Sequence, residues 1–146
     1  MDETVLATRR FEELSRNFVV VKIDVDSVDS LALKSQYTVK GYPTYLIANS
    51  SGEEILRIVG SRLPGAFFKA VQQAIRYKGM SLEMRQKKAM GAGGSNEAYE
   101  LGMMYLAQQD YMPALRYLNI ARTAWTKGSP RFLDLEEAQL GVLGSL

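Results

Sequence analysis

Cysteine and histidine, the side chains that most often carry nucleophilic, redox and zinc chemistry, are both absent from this chain of 146 residues. Without a thiol there is no disulfide, no thiolate metal site and no dithiol exchange, and without an imidazole there is no histidine base. Two carboxylates, Asp24 and Asp26, stand two residues apart in V-K-I-D-V-D. Acid–base work would ask of them a cleft and a third group, whereas acids at the end of an apolar run ordinarily face water or cap a helix. No catalytic residue, metal ligand or cofactor is expected. The other stretch of note is K-G-Y-P-T-Y at Lys40–Tyr45, a bend ahead of a strand. Gly41 can adopt dihedrals closed to other residues, and Pro43, lacking an N–H, suits the first position of a strand or a sheet edge.

The flanking elements must position that stretch. Upstream, Val19, Val21, Ile23 and Val25 alternate with Val20, Lys22, Asp24 and Asp26, the period of a strand. Ser27–Ser30 offer N-caps for a helix over Leu31–Tyr37. Downstream, Thr44–Ala48 reads as a strand, Asn49–Gly52 as a tight turn and Ile55–Val59 as an antiparallel return. Pro64 suits the first turn of a helix, in which Phe67, Phe68, Val71, Ala74 and Ile75 recur at three- and four-residue steps.

This order, strand–helix–(G-Y-P-T)–strand–turn–strand–helix, resembles the later part of the thioredoxin fold. N-F-V-V-V-K-I-D-V-D at 17–26 is similar to a strand of that family. Met1–Leu6 with Phe11–Asn17 is similar to the helix following its C-x-x-C site, and Gly60 matches a glycine of its last strand. The resemblance covers residues 1–79. It implies a cis Tyr42–Pro43 bond, with the backbone before the proline pairing with an extended peptide, and so Gly41, Tyr42, Pro43 and Thr44 as the candidate peptide-contacting residues. It implies too that Met1 is an internal methionine of a longer domain. The central strand, between Val19–Asp26 and Thr44–Ala48, would then be missing. Each backbone N–H or C=O left buried and unpaired at that gap would cost about 1–3 kcal/mol. The two flanking strands could pair directly, a second chain could insert a strand, or an upstream segment could fill the gap. The expectation is association through the gap as a homodimer, with direct pairing inside one chain as its competitor.

Residues 80–94, M-S-L-E-M-R-Q-K-K-A-M-G-A-G-G, read as a prolongation of the preceding helix followed by a glycine-rich linker. From Ser95 the pattern is a helical hairpin: Leu101, Gly102 and Tyr105 on one helix, a turn at Asp110-Tyr111, and Ala114, Leu118 and Ala121 on the next. The spacing L-G-x-x-Y, x-D-Y, A-x-x-x-L-x-x-A resembles a tetratricopeptide repeat. It departs from that repeat at Ala98, where a large aromatic is usual, at Gln109, where the turn has glycine, and at the late Pro130. Phe132–Leu143 reads as a third helix.

The expected fold class is α/β. A truncated thioredoxin-like mixed sheet with flanking helices covers 1–79, an extension and linker 80–94, and an all-α tetratricopeptide-like tail 95–146. The expected function is a protein- or peptide-binding module without redox chemistry in this chain. The alternative is the cysteine-free remainder of a thiol-disulfide oxidoreductase or isomerase whose C-x-x-C lies upstream of Met1. Eleven Lys/Arg against nine Asp/Glu in residues 1–79, and seven against seven in 80–146, provide no basic face for nucleic acid. Apolar runs such as Phe18–Val21 are too short to span a membrane, and no signal-peptide pattern opens the chain. Cytoplasm and periplasm both stay open.

Overall fold

The computed structural model describes residues 5–125 and 130–146, so the Met1–Thr4 part of the opening motif lies outside the described residues. Among the described residues the order is α1 (Arg9–Ser15), α2 (Ser30–Gln36), β1 (Thr44–Ala48), β2 (Glu54–Val59) and α3 (Pro64–Arg76), followed by α4 (Leu82–Met90), α5 (Ser95–Ala107), α6 (Tyr111–Ala124) and α7 (Pro130–Ser145). The chain is a mixed α/β protein that divides into two units, Met1–Gly79 and Met80–Leu146.

In the first unit β1 and β2 pair antiparallel, Thr44 opposite Val59 and Ile47 opposite Leu56. The register slips by one residue at Ala48, which faces Glu54, and both Ile55 and Leu56 are buried. The connecting turn is held by Asn49, whose Oδ1 accepts from the N–H groups of Ser51 at 3.0 Å and Glu53 at 2.9 Å. Gly52 takes a φ of 78° there, the left-handed region that favours glycine. Helix α3 begins at Pro64 and lays Phe67, Phe68, Val71 and Ala74 inward against β2. Phe67 meets Tyr45 of β1 edge-on at 5.0 Å and lies 6.4 Å from Phe11 of α1. Burying each such aromatic or aliphatic side chain stabilises the fold by about 1.5–3 kcal/mol.

Two expectations require correction here. Val19–Asp26 is not a strand: residues 19–24 belong to no helix or sheet, 25–26 form a turn, and Val19 is 93% exposed. The expected mixed sheet is therefore, among the described residues, an antiparallel pair, and direct pairing of 19–26 with Thr44–Ala48 does not occur. The physical reason is that period-two alternation makes a strand only when a neighbour supplies the hydrogen bonds, and among the described residues none does. Residues 80–90, likewise, do not prolong α3. That helix stops at Tyr77, the backbone turns through positive φ at Lys78 (48°) and Gly79 (79°), and Ser81 starts α4 by accepting from the Met84 N–H at 3.3 Å.

The second unit is a stack of helices. Leu101 and Gly102 of α5 meet Ala114, Leu118 and Ala121 of α6, all buried. A Cβ on Gly102 would lie 2.7 Å from the Leu118 side chain, so the close approach requires glycine. The rings of Tyr105 and Tyr117 stack at 5.8 Å and 6°. Between α4 and α5, Arg85 is wholly buried and its Nε lies 2.6 Å from Glu97 Oε1, while Lys88 Nζ stands 3.4 Å from Glu97 Oε2. The 91–94 glycines form a tight corner between these two helices, and a Cβ on Gly94 would strike the Lys88 carbonyl at 2.1 Å. Helix α7 adds Phe132, Leu135, Ala138 and Val142 to the core, and Gln139 Nε2 donates to Asn119 Oδ1 of α6 at 2.7 Å. Beyond α6, the Trp125 ring rests 5.1 Å from that of Tyr99. Burial, reinforced by the charges of Asp134 and Glu100, raises the Tyr99 phenol above the ordinary tyrosine range. Among the described residues no helix is long and apolar enough to cross a membrane.

Candidate functional site

The G-Y-P-T stretch leads directly into β1. Its Tyr42–Pro43 peptide bond is cis. The local hydrogen bonds follow from sequence: Thr44 Oγ1 donates to the Gly41 carbonyl at 2.6 Å, and the Gly60 N–H donates to the Pro43 carbonyl at 2.8 Å. These two bonds tie the loop to itself and to the end of β2. Tyr42 and Pro43 face solvent, whereas Gly41 and Thr44 are half-buried. A Cβ on Gly41 would touch Val59 Cγ1 at 3.4 Å, so the loop lies close on β2.

Beside the loop lies an open groove of about 360 Å³ lined by Thr38, Lys40, Gly41, Arg57 and Val59. Arg57 builds its wall. Nε donates to Glu54 Oε1 at 3.1 Å, Nη2 to Glu54 Oε2 at 2.7 Å, and Nη1 to the Thr38 carbonyl at 3.2 Å. Nη2 also donates to the Tyr37 carbonyl. The guanidinium thus fastens the segment after α2 to β2, and the Tyr37 hydroxyl adds a second tie to the Gly52 carbonyl at 2.9 Å. Lys40 is exposed at the groove. The groove is open rather than enclosed and combines a cationic side chain with an apolar wall at Val59. That arrangement suits an extended chain with backbone carbonyls and an acidic or apolar side chain better than it suits a small buried substrate.

Of the sequence-derived site residues, Gly41 enters the groove wall, Tyr42 and Pro43 stand exposed at the loop, and Thr44 opens β1. Thr38, Arg57 and Val59 were not foreseen. A signal for two of them was present: along Ile55–Val59 the period of a strand sets Arg57 and Val59 on the face opposite Leu56 and Ile58. Asp24 and Asp26 lie outside the groove; Asp24 Oδ1 accepts from the Asp26 N–H at 3.0 Å, a local turn contact. Among the described residues no three acids cluster as metal ligands would. Compared with protein-family models, curated proteins and solved structures, the chain finds no match in any of the three.

Proposed function

We propose that the chain is a protein- or peptide-binding module of thioredoxin-like type in residues 1–79, joined to a tetratricopeptide-like helical unit, and that it performs no thiol chemistry of its own. The observation that carries this reading is the exposed Gly41–Thr44 loop at the head of β1, flanked by a groove with Lys40 and Val59 on its walls. Among the described residues the sheet has two strands, so β1 has a strand neighbour on one side only. An extended peptide laid along the loop would find backbone partners and a groove for alternate side chains, the mode of strand addition. For the helical unit, support comes from the Gly102–Leu118 approach and from Gln109, which takes a φ of 60° at the turn where the repeat usually has glycine.

The test is titration of isotope-labelled chain with an unstructured peptide, reduced and alkylated insulin B chain, followed by amide resonances and by anisotropy of the labelled peptide. Amides of Gly41, Tyr42, Thr44 and β1 should shift together as binding saturates, and Tyr42→Ala should weaken binding by roughly tenfold. Saturating binding that leaves those amides unmoved, or no binding at all, overturns the reading.

A further inference from the structure

The groove beside the Gly41–Thr44 loop holds two cations in unequal states. The Arg57 guanidinium is engaged within the fold: it donates to both Glu54 oxygens and to the Tyr37 and Thr38 carbonyls, so its charge is matched and its donors are committed. Lys40 has no such partner. Among the described residues its ammonium makes neither an ion pair nor a hydrogen bond, and the residue is exposed. Two carbonyls of the lining are also occupied, Thr38 by Arg57 and Gly41 by the Thr44 hydroxyl at 2.6 Å. The groove therefore presents one unmatched positive charge, beside the apolar wall of Val59, which is 43% exposed.

The backbone next to Lys40 selects what carries the matching negative charge. Among the described residues the Gly41 N–H, and both the N–H and the C=O of Tyr42, make no hydrogen bond. A donor and an acceptor on one residue match what a peptide backbone supplies, whereas a small anion only accepts. A lone exposed ammonium is also a weak anchor for a free anion, since an ion pair in water changes an equilibrium by at most about fivefold. Added to backbone bonds, the same pair is enough to tell one peptide from another. In an extended chain, side chains two residues apart share a face. A carboxylate set at Lys40 and an aliphatic group set on Val59 thus come from positions two apart.

We infer that the groove reads an acidic side chain: its partner is an extended peptide with an aspartate or glutamate at Lys40 and an aliphatic residue, two positions away, on Val59. This rests on the peptide-binding reading of the loop and adds the charge that sets its specificity. The probes are fluorophore-labelled Gly-Ser peptides, blocked at both ends, with a central Val-Ser-Glu, Val-Ser-Gln or Val-Ser-Lys, titrated by anisotropy. The unaltered chain should bind the glutamate peptide roughly fivefold tighter than the glutamine peptide and roughly twenty-five-fold tighter than the lysine peptide. Salt of about 1 M should bring the three together, because it screens an exposed pair. Lys40→Gln should level the three peptides to within about twofold, and Lys40→Glu should reverse their order. Unchanged circular dichroism in both variants serves as the folding control. Three peptides that saturate with equal affinity while moving the Gly41, Tyr42 and Thr44 amides overturn the acid preference and leave the loop a peptide site. Failure of all three to bind overturns the loop reading and the preference together. A glutamate preference that survives both variants overturns the role of Lys40. A glutamine peptide that matches the glutamate peptide once its C-terminus is left free overturns the side-chain assignment in favour of a chain-end carboxylate.

Discussion

The α5–α6 pair of the second unit and the Val19–Val21 run of the first treat their apolar residues in opposite ways. In Met80–Leu146 the aliphatic positions at helical spacing, Leu101, Leu118, Leu135 and Val142, are all fully buried. In Met1–Gly79 an apolar run of three valines, Val19–Val21, stands in water. Composition does not account for the difference. A helix closes its backbone hydrogen bonds within itself and needs only a face to cover, so α5 and α6 complete one another across a single turn. An extended segment needs a neighbour along its whole length before its side chains can be buried at all. Between these two places, apolar side chains become core where two helices offer each other a face, and remain surface in a run that belongs to no sheet.

Substitutions in the two units should separate along that line. The largest effect is expected from Glu97→Ala, which strands the Arg85 guanidinium in the interior without its carboxylate and should cost about 3–5 kcal/mol, read as a lower urea midpoint by circular dichroism. A loss below about 1 kcal/mol would mean that water reaches Arg85 in solution and that the α4–α5 contact is looser than its 2.6 Å pair implies. Next comes Gly102→Val, which forces two methyl groups into the Leu118 contact and should destabilise by about 1–3 kcal/mol in a thermal melt. An unchanged melt would show α5 and α6 free to separate, blurring the contrast. The smallest effect belongs to Val19→Ser: removing an isopropyl group already in water should move stability by no more than about 0.5 kcal/mol. A cost several times larger would mean that the segment is covered within the folded monomer.

The same contrast explains what could be read from the sequence. Helices α3, α5, α6 and α7 were legible because three- and four-residue spacing of Phe67, Phe68 and Val71, or of Leu101 and Tyr105, states both the element and its buried face. The β1–β2 hairpin was legible because Asn49 and Gly52 have few alternatives between two apolar runs. Val19–Asp26 was not, since alternation records which side chains share a face and says nothing of whether a partner exists. The start of α4 was overlooked although Ser81, three residues before Met84, is an ordinary N-cap; the apolar and basic residues on either side read more easily as one long helix. At the candidate site, the place of Gly41–Thr44 ahead of a strand followed from glycine and proline alone. The groove beside it did not, because Arg57 reaches Tyr37 and Thr38 across about twenty residues of chain, and no local pattern encodes such a reach.

The ring contact between Trp125 and Tyr99 gives the molecule a built-in optical reporter. Trp125 is the chain's one tryptophan, and it belongs to the helical unit. Excited at the red edge of the indole band, the protein emits from residues 80–146 alone, while tyrosines 37, 42, 45 and 77 in the first unit stay dark. Loss of helical stacking around Trp125 can thus be followed by its own emission in an unlabelled sample, without a contribution from the β-hairpin.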